Sequence, residues 1–264
     1  MENQFTNISG YQFIVIDDII CVHKQAQAIC AQTHLKGTVF ISPEGINISL
    51  AGTDKDIEFV LDQFKTVCKF DYLHINKSYS ESIPFKRLLV KRREELVPTK
   101  SSLKQDRKIP YITSEELKHW LDNGTEFTLL DLRNRFEYEL GTFKHAKHLN
   151  LNHFRELEDA KTHLDKISKK KPIVTFCTGG IRCEKGAPFM QKNGFKNICQ
   201  LKGGILDYLS KFKNQHWHGD CFVFDDRICV DSNLKPRYTR LCQNCQTSLE
   251  KNEEIFCLAC SGLT

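Results

Sequence analysis

The chain predicts a two-part protein, one part α+β and the other α/β, followed by a short cysteine-rich segment. Three observations carry that class. Over residues 11–91 the hydrophobic pattern reads strand, helix, strand, strand, helix, strand, the order of a ferredoxin-like sandwich. From residue 112 onward strands and helices alternate singly, which implies a parallel sheet with helices on both faces. After residue 216 the regular elements shorten and cysteines gather.

Residues 11–16 form an apolar strand, and 22–35 have helical spacing. Residues 37–42 and 46–51 are strands around a Pro43-Glu44-Gly45 turn. Asn47, just past that turn, caps it, contacts a ligand, or is plain hairpin chemistry. Residues 54–68 open with acids and set Ile57, Val60, Leu61 and Phe64 on one face, so they read as a helix. Strands at 73–77 and 85–91 close this ferredoxin-like (acylphosphatase-like) domain, placed at 1–95. The fold by itself assigns no function. Residues 96–111, with Pro98 and Pro110 and few apolar side chains, read as a basic linker.

Thr113-Ser114-Glu115-Glu116 has the form of a helix start. Strands at 127–132, 173–176 and 197–201 alternate with a helical or irregular stretch at 134–168 and helices at 184–193 and 205–213. That makes 112–215 the second domain. In such a sheet ligands bind beyond the carboxyl ends of the strands. In the closing segment, 216–264, residues 221–230 are expected to form a strand pair.

A chain of 264 residues holds two domains and a small third piece. No apolar run reaches the roughly 20 residues a membrane span needs. Residues 1–18 lack the basic start and apolar stretch of a signal peptide, so the expected location is the cytoplasm. Its 12 cysteines then read as free thiols, a reactive site and metal ligands rather than disulfides. The net charge is +5, and residues 86–108 hold nine basic against three acidic residues. Lys86, Arg87, Lys91, Arg92 and Arg93 lead that stripe, which suits a polyanion such as RNA or is a solvated linker.

Chemistry concentrates at Cys177-Thr178-Gly179-Gly180-Ile181-Arg182-Cys183, directly after the strand at 173–176 and before the helix at 184–193. Backbone N–H groups and a helix dipole converge on such a loop and stabilise an anion. A thiol there ionises readily, so Cys177 is the candidate nucleophile or sulfur carrier. A merely buried cysteine needs neither the adjacent glycines nor the arginine. Arg182 points into the loop or pairs with an acid. Cys183 resolves a persulfide, forms a disulfide with Cys177, or is a small residue at a helix start.

Cys242, Cys245, Cys257 and Cys260 form CxxC-x11-CxxC, a spacing for structural zinc; a reduced tail or adventitious disulfides are the alternatives. His145, His148, His153 and His163 read as solvated surface residues. No nucleotide fingerprint, flavin site, iron triad or haem ligand set is evident, so no organic cofactor is expected.

Cys-x4-Arg is one residue shorter than the loop of cysteine phosphatases and suits a terminal sulfur. With Leu129-Leu130-Asp131-Leu132-Arg133…Glu137 before it and Gly194-Phe195…Leu201-Lys202-Gly203-Gly204 after it, the segment resembles a rhodanese domain. That resemblance implies a persulfide on Cys177 and a framework role for Asp131 and Arg133, with Glu137 able to hold a loop arginine. Glu44-Gly45-Ile46-Asn47 and Ala51-Gly52-Thr53 ahead of it, and Cys221-Phe222-Val223-Phe224-Asp225 behind it, are similar to the oxygen-dependent tRNA uridine hydroxylases. This implies conversion of the wobble uridine to 5-hydroxyuridine, with dioxygen as co-substrate, an unspecified electron donor and the anticodon arm of tRNA as partner. The rival readings are a plain sulfurtransferase and a non-catalytic RNA-binding adaptor. The oligomeric state is not legible in the sequence.

Overall fold

The structure, a computed structural model, describes residues 4–70, 73–100 and 109–237, and beyond them the backbone of Tyr238 and four two-residue strands. It divides into two compact units, Met1–Val97 and Pro98–Thr264. Among the described residues no helix is long and apolar enough to cross a membrane.

The first unit runs β1 (Phe5–Phe13), α1 (Ile19–Cys30), β2 (Lys36–Ser42), β3 (Gly45–Gly52), α2 (Asp54–Cys68), β4 (His74–Ser80) and β5 (Leu88–Arg92). Its sheet order is β4-β1-β3-β2-β5. The first four strands are antiparallel, and β5 joins the edge parallel to β2. Thr53 caps α2 by accepting the Asp56 N–H, and Asp54 and Asp56 lie in the first turn, where the helix dipole favours acids. Ile57, Val60 and Phe64 of α2 pack on Ile8, Val39, Ile41, Ile46, Ile48 and Leu50 of the sheet. Each such side chain contributes about 1.5–3 kcal/mol of burial.

Two elements of this unit differ most from the sequence reading. β1 begins at Phe5 because polar Asn7 is buried with a partner, its Nδ2 donating to Ser80 Oγ at 2.9 Å. α1 ends at Cys30 because Thr33 Oγ1 donates back to the Cys30 carbonyl at 2.8 Å, and Leu35 enters the core from the turn. The first unit also extends past residue 95. Leu96 and Val97 are buried, and the Leu96 N–H donates to Glu44 Oε1 at 2.6 Å.

The second unit begins with β6 (Tyr111–Ile112), α3 (Ser114–Asp122), β7 (Thr128–Asp131), α4 (Arg135–Leu140), β8 (Gly141–Phe143) and β9 (Lys147–His148). A 3-10 segment (Phe154–Ala160) and α5 (Lys161–Leu164) lead to β10 (Ile173–Phe176), α6 (Cys183–Lys192), β11 (Ile198–Leu201) and α7 (Gly204–Phe212). The sheet order is β6-β11-β10-β7-β9, and every pairing is parallel. Thr113 and Glu116 form a reciprocal capping box at the start of α3.

Residues after 216 are not all a separate piece. β12 (Trp217–Gly219) pairs with β8, and β13 (Cys221–Phe222), β14 (Ile228–Val230) and β15 (Pro236–Tyr238) form a small antiparallel sheet. Trp217, Cys221, Val223 and Val230 belong to the same core as Val174, Phe176 and Ile205, so this hairpin completes the second unit. The remaining strands, β16 (Arg240–Leu241), β17 (Ser248–Leu249), β18 (Phe256–Cys257) and β19 (Gly262–Leu263), form two short pairs.

Candidate active site

Cys177 follows the carboxyl end of β10, and Cys183 opens α6, so the loop between them spans a strand end and a helix start. Gly180 takes φ +99°, a conformation glycine adopts without Cβ strain, and its N–H donates to Cys177 Sγ at 3.1 Å. The base of the loop is tied to α7. Ile205 and Leu206 donate N–H bonds to the carbonyls of Cys177 and Thr178 at 3.0 and 3.1 Å. Gly204 makes that approach possible. A Cβ there would stand 2.4 Å from the Cys177 carbonyl oxygen, at φ +65°.

The walls are ionic. Arg182 makes a bidentate pair with Glu137, at 2.6 and 2.8 Å, with both side chains almost wholly buried. Thr178 Oγ1 accepts from Arg182 at 3.1 Å and donates to Glu137 at 3.3 Å. Arg182 is therefore held by the acid, and its positive charge is fixed beside the sulfur. Asp131 and Arg133, at the end of β7, form a second fully buried pair at 2.7 Å. Thr142 Oγ1 donates to Asp131 at 2.9 Å, and Arg133 Nη2 donates to the Gly141 carbonyl at 2.5 Å. These contacts brace the strand end next to Glu137 and do not touch the sulfur.

Burial opposes ionisation of Cys177. The Cys183 thiol, the Arg182 guanidinium and the N–H groups of Arg182 and Gly180 outweigh it, and the pKa falls to about 6. Cys183 is pushed well above the ordinary thiol value, first by burial and then by its neighbour's charge. The two thiols are thus driven in opposite directions, Cys177 toward the charged form and Cys183 toward the neutral one. Cys177 itself has no exposed surface, whereas Gly179 and Ile181 at the loop's crest are half-exposed.

Several site residues were not legible in the sequence. Phe224 is 63% exposed and lies against Arg182, whose guanidinium carbon sits 5.6 Å from its ring centroid. Phe222 stacks edge-on between Phe224 and Phe136, both centroid distances being 5.0 Å. The hairpin thus sets an aromatic wall beside the loop. The available signal was alternation, with Cys221 and Val223 inward and Phe222 and Phe224 outward. Cys221 lies within the field of both ion pairs, and burial pushes its thiol up to about 12.

His148 corrects the expectation of solvated histidines. It is half-buried and stacked on Tyr138 at 4.8 Å. Its Nδ1 accepts the Asn150 N–H at 3.0 Å and its Nε2 faces the Arg133 carbonyl at 2.7 Å, so it is a neutral donor there. Burial lowers its pKa, and both nitrogens are occupied. His145 and His153 are exposed, and His163 is half-buried.

Lys86, Arg87, Lys91, Arg92 and Arg93 all belong to the first unit, exposed in and around β5. They do not share one face. Arg92 pairs with core-facing Ile41, whereas Lys91 pairs with Phe40 on the opposite face. Cys242, Cys245 and Cys260 lie outside the described residues, and of Cys257 only the backbone of β18 is described.

Comparison with known proteins agrees with this architecture. Residues 5–96 match the UPF0176 acylphosphatase like domain, and residues 113–211 match the rhodanese-like domain. A tRNA uridine(34) hydroxylase of Cupriavidus necator is 37% identical over 95% of this chain and 92% of its own length. Proteins of the same name from Ralstonia nicotianae and Paraburkholderia phytofirmans are 38% and 35% identical, over 95% and 98% of this chain. At 35–38% identity over nearly its whole length, this chain belongs to the tRNA uridine(34) hydroxylase family.

Proposed function

We propose that this protein hydroxylates uridine 34 of tRNA at C5, with Cys177 as the reacting sulfur. The observation that carries the reading is the Cys177 sulfur held against the Gly180 N–H, with the buried Arg182–Glu137 pair beside it, in a chain of this family. A base in an anticodon loop is unpaired and reaches a pocket at low cost. Phe224 supplies the ring against which the uracil stacks.

The chemistry balances as a mono-oxygenation. The sulfur adds to C6 of the uracil, and the electron pair moves to C5. C5 bonds to dioxygen and, with one proton, becomes a hydroperoxide. A two-electron donor and two protons reduce it to the 5-hydroxyl and water. Loss of the C5 proton then expels the sulfur from C6 and restores the ring. The net reaction consumes dioxygen, two electrons and two protons, and it needs no organic cofactor in the protein.

The enclosed position of Cys177 favours a persulfide as the attacking form, made when the cysteine thiolate takes the sulfane sulfur of a donor such as thiosulfate and sulfite leaves. An S–S bond carries the outer sulfur about 2 Å beyond the cysteine. Of the basic residues of the first unit, Lys91 and Arg93 share the Phe40 side of the sheet and hold the anticodon arm, and a tRNA substrate sets the reaction in the cytoplasm. Cys242, Cys245, Cys257 and Cys260 hold a structural zinc, a reading supported by their spacing alone. Metal analysis of the purified protein checks it, and a protein free of zinc overturns it.

The function is tested by nucleoside mass spectrometry of tRNA from cells lacking the protein, given back wild type or Cys177→Ala. Return of 5-hydroxyuridine with wild type alone is the expected result. Return with both variants moves the chemistry away from Cys177. No dependence on the protein leaves a sulfurtransferase, which the same loop accommodates and thiosulfate turnover would detect.

A further inference from the structure

The helices of the first unit cover one face of its sheet, and the other face has a composition of its own. Strand register sets five side chains in one row across it. Asn47 of β3 lies between Tyr11 of β1 and Phe40 of β2. His74 of β4 is opposite Tyr11, and Lys91 of β5 is opposite Phe40. Directly paired residues point to the same side, and Ile46 and Ile48, which flank Asn47, point to the helices. Phe13 stands edge-on to Tyr11 at 6.1 Å. Arg93 reaches over the Phe40 ring, its guanidinium carbon 4.9 Å from the centroid.

None of the five strands contains an aspartate or glutamate; Asp54, Asp56, Glu58 and Asp62 lie on α2, and the exposed acids Asp17, Asp18, Glu81 and Glu94 lie in the loops. We infer that this sheet face is a single-stranded RNA platform. It takes unpaired nucleotides of the anticodon arm, with bases stacked on Tyr11 and Phe40. Lys91 and Arg93 hold their phosphates, and the Asn47 amide reads a base edge. Tyr11 and Phe40 are two strands apart, about 10 Å, which leaves room for a base between stacked neighbours. Aromatic rings interleaved with basic and amide groups are the chemistry by which single-stranded nucleic acid is bound. The inference rests on the proposed tRNA substrate and adds where in the first unit it docks.

Arg92 and Arg93 provide an internal control, because adjacent arginines leave opposite faces of the sheet. The full-length protein is titrated with a fluorescein-labelled anticodon-arm stem-loop at several salt concentrations, alongside the 5-hydroxyuridine measurement. Arg93→Glu is expected to weaken binding about tenfold and to reduce the salt slope by about one, with Arg92→Glu changing Kd less than twofold. Phe40→Leu is expected to lose about tenfold. Phe40→Trp restores binding, and its emission is quenched by RNA, a signal that a purely structural role would not give. Wild type that binds and hydroxylates while Phe40→Leu and Arg93→Glu match it overturns the platform and leaves the function standing. Wild type that neither binds the stem-loop nor forms 5-hydroxyuridine overturns both.

Discussion

The two sheets of this molecule use the same kind of strand to opposite ends. In the second unit β7 and β10 are buried at every position, because a parallel sheet carries helices on both faces. Leu129, Val174 and Phe176 face the core shared with Leu117 and Ile205, while Leu130, Ile173 and Thr175 are buried on the other side. Such a sheet offers a ligand only its strand ends, and that is where Cys177, Glu137 and Arg182 meet. In the first unit β3 alternates, with Ile46 and Ile48 buried and Asn47 and Ser49 half-exposed. That sheet offers a whole face. One architecture gathers its polar groups at a point, and the other spreads them over a face.

The division breaks if chemistry and binding fail to separate by unit. Cys177→Ala should lower 5-hydroxyuridine formation by about a thousandfold or more, with stem-loop binding within about threefold of wild type. A large loss of binding would show that the two roles overlap.

Stability should divide the same way. Glu137→Ala leaves the Arg182 charge buried without its acid, at a cost of about 3–5 kcal/mol. Removing Asp62 from its exposed pair with Lys65, 3.6 Å away in the first unit, should change stability by less than about 0.5 kcal/mol. Thermal melts of both variants test the contrast, and equal shifts would contradict it. Gly204→Ala comes next, at about 2–3 kcal/mol, because its methyl meets the Cys177 carbonyl. Activity should fall with it, since the carbonyls of Cys177 and Thr178 would lose the α7 N–H groups.

The smallest effect sharpens the site. Thiolate absorbance, taken as wild type minus Cys177→Ala, should titrate near pH 6 and disappear below it. Cys183→Ala removes a donor to the charged form, so the midpoint must rise toward the ordinary thiol value of about 8.5. Activity at pH 6 to 7 should fall while activity at pH 9 is kept. A midpoint that stays near 6 would make Arg182 and Gly180 sufficient.

The sequence by itself determined the class of both sheets and the place of the cysteine loop between a strand end and a helix start. Helix spacing and the opening acids specify α2 as residues 54–68, and the apolar run at 173–176 specifies β10, because both signals are local. The Cys-Thr-Gly-Gly-Ile-Arg-Cys order also marks the cradle locally, since strand, loop and helix start are contiguous. Tertiary structure alone decided what those parts touch. Asn7 became core through Ser80, 73 residues away. Arg182 found Glu137, 45 residues back, and Phe224 came to its guanidinium from the hairpin that completes the second unit. The split of Arg92 from Arg93 needed the register of β5 on β2. Local backbone chemistry is written in adjacent residues, whereas desolvated charge pairs and shared faces depend on which distant strands become neighbours.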